Sequence, residues 1–207
     1  MEHWEAQMNN IWFEGKEFAR GLCDEVSMES RKTRKGGVNY LIFGEQPSMQ
    51  SKYIRLGKKI ERWFEFFVKN SPKGLVLLRS GVDKDIKTDI DLNFRDDKTK
   101  TIFYRELKAN INLDSEKMPA TIEKIKRVHR HLQKKYPDYK INSGALWWSV
   151  YDKEDPKLAH LKSKYKAFRN AGVTLDCASD FFDIVGVATS QQKFEEFFAS
   201  LGERFTK

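Results

Sequence analysis

Residues 88–110, TDIDLNFRDDKTKTIFYRELKAN, hold two apolar stretches with charged groups at positions where a strand would carry core side chains. Asp89 and Asp91 lie on the first stretch, Glu106 and Lys108 on the second. Strand alternation puts Asp89, Asp91 and Asn93 on one face and Ile90, Leu92 and Phe94 on the other; in the second arm Ile102, Tyr104, Glu106 and Lys108 share a face. A hairpin turn centred on Asp97 and Lys98 sets Asp89 opposite Glu106, and a two-residue change of register sets Asp91 there instead. Either register keeps the carboxylates on one face, because only a one-residue slip reverses it. Carboxylates about 5–8 Å apart repel and raise each other's pKa unless a divalent cation neutralises them. An oxygen-only set suits Mg2+, which keeps several waters and completes its shell with phosphate oxygens. Lys108, two residues beyond Glu106, faces the same way and can hold a water or stabilise charge on a phosphate. The chemistry these groups support is phosphodiester hydrolysis. The competing possibility, a solvated hairpin with cross-strand ion pairs, fits poorly with the apolar density of IDLNF and TIFY, which belong in an interior sheet.

The elements that must hold this hairpin follow from periodicity. Trp4, Met8, Ile11, Phe18, Leu22 and Val26 recur loosely at helical spacing within residues 1–30, a segment suited to dimerisation or DNA contact. Leu56, Ile60, Trp63, Phe64 and Phe67 form one helical stripe that stops before Pro72, and GLVLLRS reads as a strand. After the hairpin, a helix opens near Pro119 and buries Ile122, Ile125, His129, Leu132 and Tyr136. GALWWSVY is a strand, Asp155 to Gly172 a helix, FFDIVGV a strand, and the phenylalanine-rich end a helix. A strand meander that continues through helical crossovers predicts an α/β fold, a mixed sheet flanked by helices. No repeat or linker divides the chain, so residues 1–207 are expected to form a single domain.

Lys and Arg outnumber Asp and Glu by 38 to 30, a net charge of +8 that suits a polyanionic partner. Two cysteines are too few for a secreted disulfide framework, and neither has the C-x-x-C spacing that metal or redox sites use. No signal peptide or apolar membrane span is visible, and a reduced, soluble, cytoplasmic protein is expected. No Walker-type phosphate loop and no methyltransferase-like glycine motif is present, so the chain is expected to cut without translocating or methylating DNA.

The DIDLNF strand, the short turn and YRELKANINLDSEK, with Glu106-Leu107-Lys108 as an E-x-K element, resemble the PD-(D/E)xK nuclease superfamily, and within it the type II restriction endonucleases. The likeness covers roughly residues 45–150 and departs from the pattern in lacking a proline before the acid, which leaves Asp91, Asp89 and, more remotely, Asp85 as candidates for it. The resemblance implies a restriction-endonuclease-like α/β/α core and Mg2+-dependent cleavage of double-stranded DNA to 5′-phosphate ends. It implies Asp91 and Glu106 as metal ligands with Asp89 in reserve, Lys108 as the group that orients the attacking water, and Glu61, on the preceding helix, as a ligand of a second metal or of a bound water. For Glu61 the alternative is the plain polar face of a helix. It also implies a homodimer on two-fold sites and a cognate DNA methyltransferase as a separate protein. Arg31, Lys32, Arg34 and Lys35 are expected to form a basic loop suited to guanine edges, or one that is merely mobile. Asn110, Asn112, Ser115 and Lys117 follow the E-x-K strand and either contact phosphates or cap the next helix. A repair or junction nuclease on the same fold, and a non-catalytic basic DNA-binding protein, are the alternatives.

Overall fold

Helix α1 (Glu2–Ser30) is held against α2 (Met49–Lys69) by an apolar, mainly aromatic stripe in which Trp63, Phe64, Phe67 and Val68 are completely buried. The two helices approach closely at Gly15: a Cβ there would run into the Phe67 ring, and the Trp63 indole N–H donates to the Gly15 carbonyl at 2.9 Å. This computed structural model describes residues 2–30, 49–78, 80–109, 117–148, 162–189 and 191–205. The chain continues through β1 (Val76–Leu77), β2 (Gly81–Asp83), β3 (Thr88–Ile90), β4 (Leu92–Asp96), β5 (Thr101–Lys108), α3 (Lys117–Lys135), β6 (Lys140–Trp147), α4 (Lys162–Asn170), β7 (Thr174–Cys177), α5 (Ala178–Val185) and α6 (Gln191–Phe205).

The main sheet has the order β1-β4-β5-β6-β7, antiparallel on the hairpin side and parallel from β5 onward, while β2 and β3 make a separate two-stranded sheet. One face packs on α1, α2, α5 and α6 through Leu92, Phe94, Leu107 and Leu146. The other packs on α3 and α4 through Ile102, Tyr104, Ala145, Ile125, Val128 and Phe168. The expected mixed sheet between helical layers is therefore present.

Outside the 88–110 hairpin, three elements differ from expectation. FFDIVGV is not a strand: residues 178–185 are helical, with Phe181, Phe182 and Val185 buried, and the edge strand is the preceding TLDC. A short apolar run carries no period of its own, and local chemistry decides it. The Asp180 carboxylate accepts the Cys177 N–H at 2.9 Å at the helix start, and Gly186 closes it in the left-handed conformation at φ 73°. The strand expected over residues 144–151 begins earlier, at Lys140, and the run from 149 to 161 lies outside the described residues. The buried stripe of α3 is rotated to Thr121, Ile125, Val128 and Leu132, with His129 half-buried and bonded through Nδ1 to Ser143 Oγ at 3.1 Å.

Candidate active site

DIDLNF is not one continuous strand. β3 ends at Ile90, β4 starts at Leu92, and Asp91 is the pivot between two sheets. Ile90 joins the core beneath α3, whereas Leu92 and Phe94 enter the core on the opposite face, so the alternation expected across the whole stretch breaks at Asp91. The β4–β5 turn fixes what comes opposite. Asp96 accepts N–H bonds from Lys98 and Thr99 at 2.9 and 3.3 Å, Lys100 takes a positive φ of 50°, and the loop therefore spans four residues instead of two. Leu92 pairs with Arg105, and continuing that register by one step brings Asp91 level with Glu106. This is the second of the two registers the sequence allowed.

At this end of the sheet Asp91 and Glu106 are both buried, at 9% and 3% exposure. Asp91 Oδ2 accepts the Leu107 N–H at 2.9 Å, past the last residue of β4 that pairs with β5. Glu106 Oε1 accepts from Lys108 Nζ at 2.8 Å; its Oε2 accepts from the Tyr104 hydroxyl at 2.9 Å and meets Lys124 Nζ at 2.5 Å. Lys124, reaching down from α3, also lies 3.5 Å from Asp91 Oδ1 and so bridges the two carboxylates. Half-buried Glu61, on α2, stands near enough for Asp91, Asp89 and Glu106 to act on its charge.

The electrostatics are those of an anionic surplus. Burial, with the Glu106 charge second, pushes Asp91 up to about 6 against the pull of Lys124. Burial, followed by Asp91 and Asp89, pushes Glu61 up to about 7. Burial also works to raise Glu106, but the ammonium groups of Lys108 and Lys124 outweigh it and hold that carboxyl below its usual range. Burial and then the Glu106 charge raise Tyr104, which keeps its phenol a hydrogen-bond donor. Asp91, Glu106 and Glu61, with Asp89 at the rim, thus face Lys108 and Lys124 in a partly dry site, and Lys58 acts on Glu61 from the same helix. The donor set is all oxygen, and it fits a hard divalent cation.

A family model described as type II restriction endonuclease, HinfI, matches residues 76–202, more than half of the chain. The chain belongs to the HinfI family of type II restriction endonucleases. No curated protein and no solved structure matches it. This HinfI-family enzyme is accordingly a site-specific deoxyribonuclease, a hydrolase that acts on DNA, and its mixed five-stranded sheet between helices is consistent with a restriction-endonuclease-like fold. Membership sets aside the junction-nuclease and non-catalytic alternatives. Restriction endonucleases generally use a divalent metal, and the match includes Asp91, Glu106, Lys108 and Lys124 but begins after Glu61.

Of the residues singled out in the sequence, the HinfI-family fold brings together Asp91, Glu106 and Lys108, with Glu61 at their margin. Asp89 is exposed on β3, opposite Val82, and acts on the site only through its charge. Asp85 lies in the β2–β3 turn, beside Asp83 and His131. Lys117 is exposed at the start of α3. Arg31, Lys32, Arg34, Lys35, Asn110, Asn112 and Ser115 lie outside the described residues. Two groups at the site had not been given a place there. Tyr104 could have been found, because it shares a strand face with Glu106 two residues on. Lys124 could not be told from the other cations of its helix, since only the packing angle of α3 selects it. Among the described residues, no helix is long and apolar enough to cross a membrane.

Proposed function

We propose that this enzyme hydrolyses both strands of duplex DNA with Mg2+ held by Asp91 and Glu106, in the manner of PD-(D/E)xK nucleases. The observation that carries the proposal is the convergence of two buried carboxylates on Lys108 and Lys124 at the end of β5, with more negative than positive charge among them once Glu61 is counted. A divalent cation bound there supplies Lewis-acid polarisation of the scissile phosphate and acidifies a coordinated water.

The chain's own groups do the remaining work. The Leu107 N–H and the Tyr104 hydroxyl hold the two carboxylates in place. Lys108, already anchored on Glu106, orients the attacking water and neutralises charge developing on the phosphate. Attack in line breaks the bond to the 3′ oxygen and leaves a 5′ phosphate. Lys124 compensates part of the carboxylate charge between turnovers. Glu61 would hold a second cation or a water of the first. Asp89, exposed at the rim, is the reserve ligand.

Arg31, Lys32, Arg34, Lys35, Asn110, Asn112, Ser115 and Lys117 contact the DNA. The working form is a homodimer on a two-fold site, with the host's own sites protected by a separate cognate methyltransferase in the cytoplasm.

Digestion of a plasmid with Mg2+ tests the proposal. Discrete fragments with 5′-phosphate ends are expected, and Lys108→Ala should abolish cutting while leaving DNA binding nearly unchanged. Cutting that is equally fast in EDTA, or that survives Lys108→Ala, would overturn it.

A further inference from the structure

Apart from the cluster around Asp91 and Glu106, one other set of ligand-type side chains converges among the described residues: Asp83 and Asp85 on the β2–β3 hairpin, and His131 on α3. One ligand atom from each lies within 4.8 Å of the others, and Asp83 Oδ2 is 3.3 Å from His131 Nε2. That ring nitrogen is shielded from solvent and makes no hydrogen bond, although a carboxylate oxygen is at contact distance. Neighbouring ligands on a first-row cation, bonded at about 2.0–2.2 Å, stand roughly 3.0–3.5 Å apart, so this edge has the length a shared cation needs. Asp83 is already oriented for the task, because its other oxygen accepts the N–H groups of Asp85 and Ile86 at 3.0 and 3.3 Å.

A second observation is independent of the cluster. Asn93 is 4% exposed, and its Oδ1 has no hydrogen-bond partner. With Asp83 and Asp85 it lines a cavity of about 190 Å³, ample for several waters. A buried carbonyl oxygen without a donor is destabilising, and the waters of a bound cation would supply one. Lys84 and Lys135 line the same cavity and compete with any cation for the carboxylates, so ligand chemistry as well as charge must select it.

We propose that Asp83, Asp85 and His131 bind a divalent transition-metal cation of the Zn2+ class, with Asn93 accepting a hydrogen bond from one of its waters. An imidazole beside carboxylates favours such an ion over Mg2+, in contrast to the all-oxygen set of Asp91, Glu106 and Glu61. The site joins two elements that build the nuclease centre. Thr88–Ile90 leads directly into Asp91, and His131 follows Lys124 on α3 by about two helical turns. The cation is thus a clip that sets the hairpin against the helix, away from the scissile phosphate.

The test is equilibrium dialysis with Zn2+ under a large excess of Mg2+, on the full chain carrying Asp91→Asn and Glu106→Gln so that the nuclease centre is silenced. One Zn2+ per chain is expected, weakened at least about tenfold by adding His131→Gln or, at an exposed position, Asp85→Asn. In ¹⁵N-histidine NMR of the unsubstituted chain, Zn2+ should shift one ring Nε2 resonance, and that shift should be absent in Asp85→Asn. No Zn2+ uptake by the silenced chain overturns the proposal, and so does uptake unchanged by both added substitutions. Should His131→Gln fail to fold, Asp85→Asn and the NMR decide by the same criteria. None of these readouts depends on DNA cleavage.

Discussion

Arg105 and Glu106 are neighbours on β5 and are both buried, yet they face opposite sides of the sheet and two different kinds of surroundings. Arg105 Nε meets Asp176 at 2.6 Å, while its other nitrogens donate to the carbonyls of Tyr104 and Asn142 at 2.9 and 2.8 Å and to Asn142 Oδ1 at 3.1 Å. One charge has one counter-charge, and the donors are used. Glu106 has Asp91 close by and Glu61 within reach of its charge; it pairs with Lys108 and shares Lys124 with Asp91. A matched buried pair is a finished piece of architecture, whereas a buried surplus of one sign is stable only while something else supplies the missing charge.

The largest effect expected from this contrast is structural. Arg105→Ala would leave Asp176 buried without its partner and should cost about 3–5 kcal/mol in urea unfolding, whereas Arg105→Met with Asp176→Leu should recover most of that loss and keep DNA cleavage. Asp91→Asn and Glu106→Gln should do the reverse: cleavage falls by more than about 100-fold, measured on plasmid DNA, and for Asp91→Asn, where a raised carboxyl is neutralised, the melting temperature of the metal-free chain is unchanged or raised. A drop in stability resembling that of Arg105→Ala would erase the distinction between the two regions.

Lys124→Met should be intermediate. Without the bridging ammonium the metal-free chain loses about 1–3 kcal/mol, and added Mg2+ should restore more stability than it adds to the parent.

The smallest effect is a pH slope. Asp91 at about 6 and Glu61 at about 7 take up protons more readily in the folded chain than in the unfolded one. Their contribution to stability is therefore fully present near pH 4 and is lost as the pH rises through 6 and 7. Glu106, held low by its lysines, works the other way and loses its contribution only as the pH falls below the ordinary carboxylate range. In EDTA the melting temperature should decline between about pH 5 and 7.5, and saturating Mg2+ should flatten the slope. A metal-free profile already flat over that interval would count against the surplus.

Much of this was legible before folding. The mixed sheet, the helices on both faces, and a constellation of Asp89 or Asp91 with Glu106 and Lys108 follow from alternation and an E-x-K spacing, and the family resemblance favours Asp91. The continuity of DIDLNF was not legible, because Ile90 and Leu92 are equally apolar and nothing local says they enter different cores. Nor was the register, which depends on Asp96 capping a four-residue turn. The misread FFDIVGV shows the same limit, for a run of apolar residues takes its structure from its caps and neighbours. Lys124 and the Arg105–Asp176 pair are tertiary facts, since each partner lies on another element far along the chain.

The central claim is that Asp91 and Glu106 share a divalent cation. Its most direct measurement is the anomalous scattering of a crystal soaked in Mn2+, collected at the manganese edge. A peak within bonding distance of both carboxylates, with Lys124 Nζ moved off their shared edge, is the predicted result. The two carboxylates still bridged by Lys124, with no peak between them at saturating Mn2+, would contradict it.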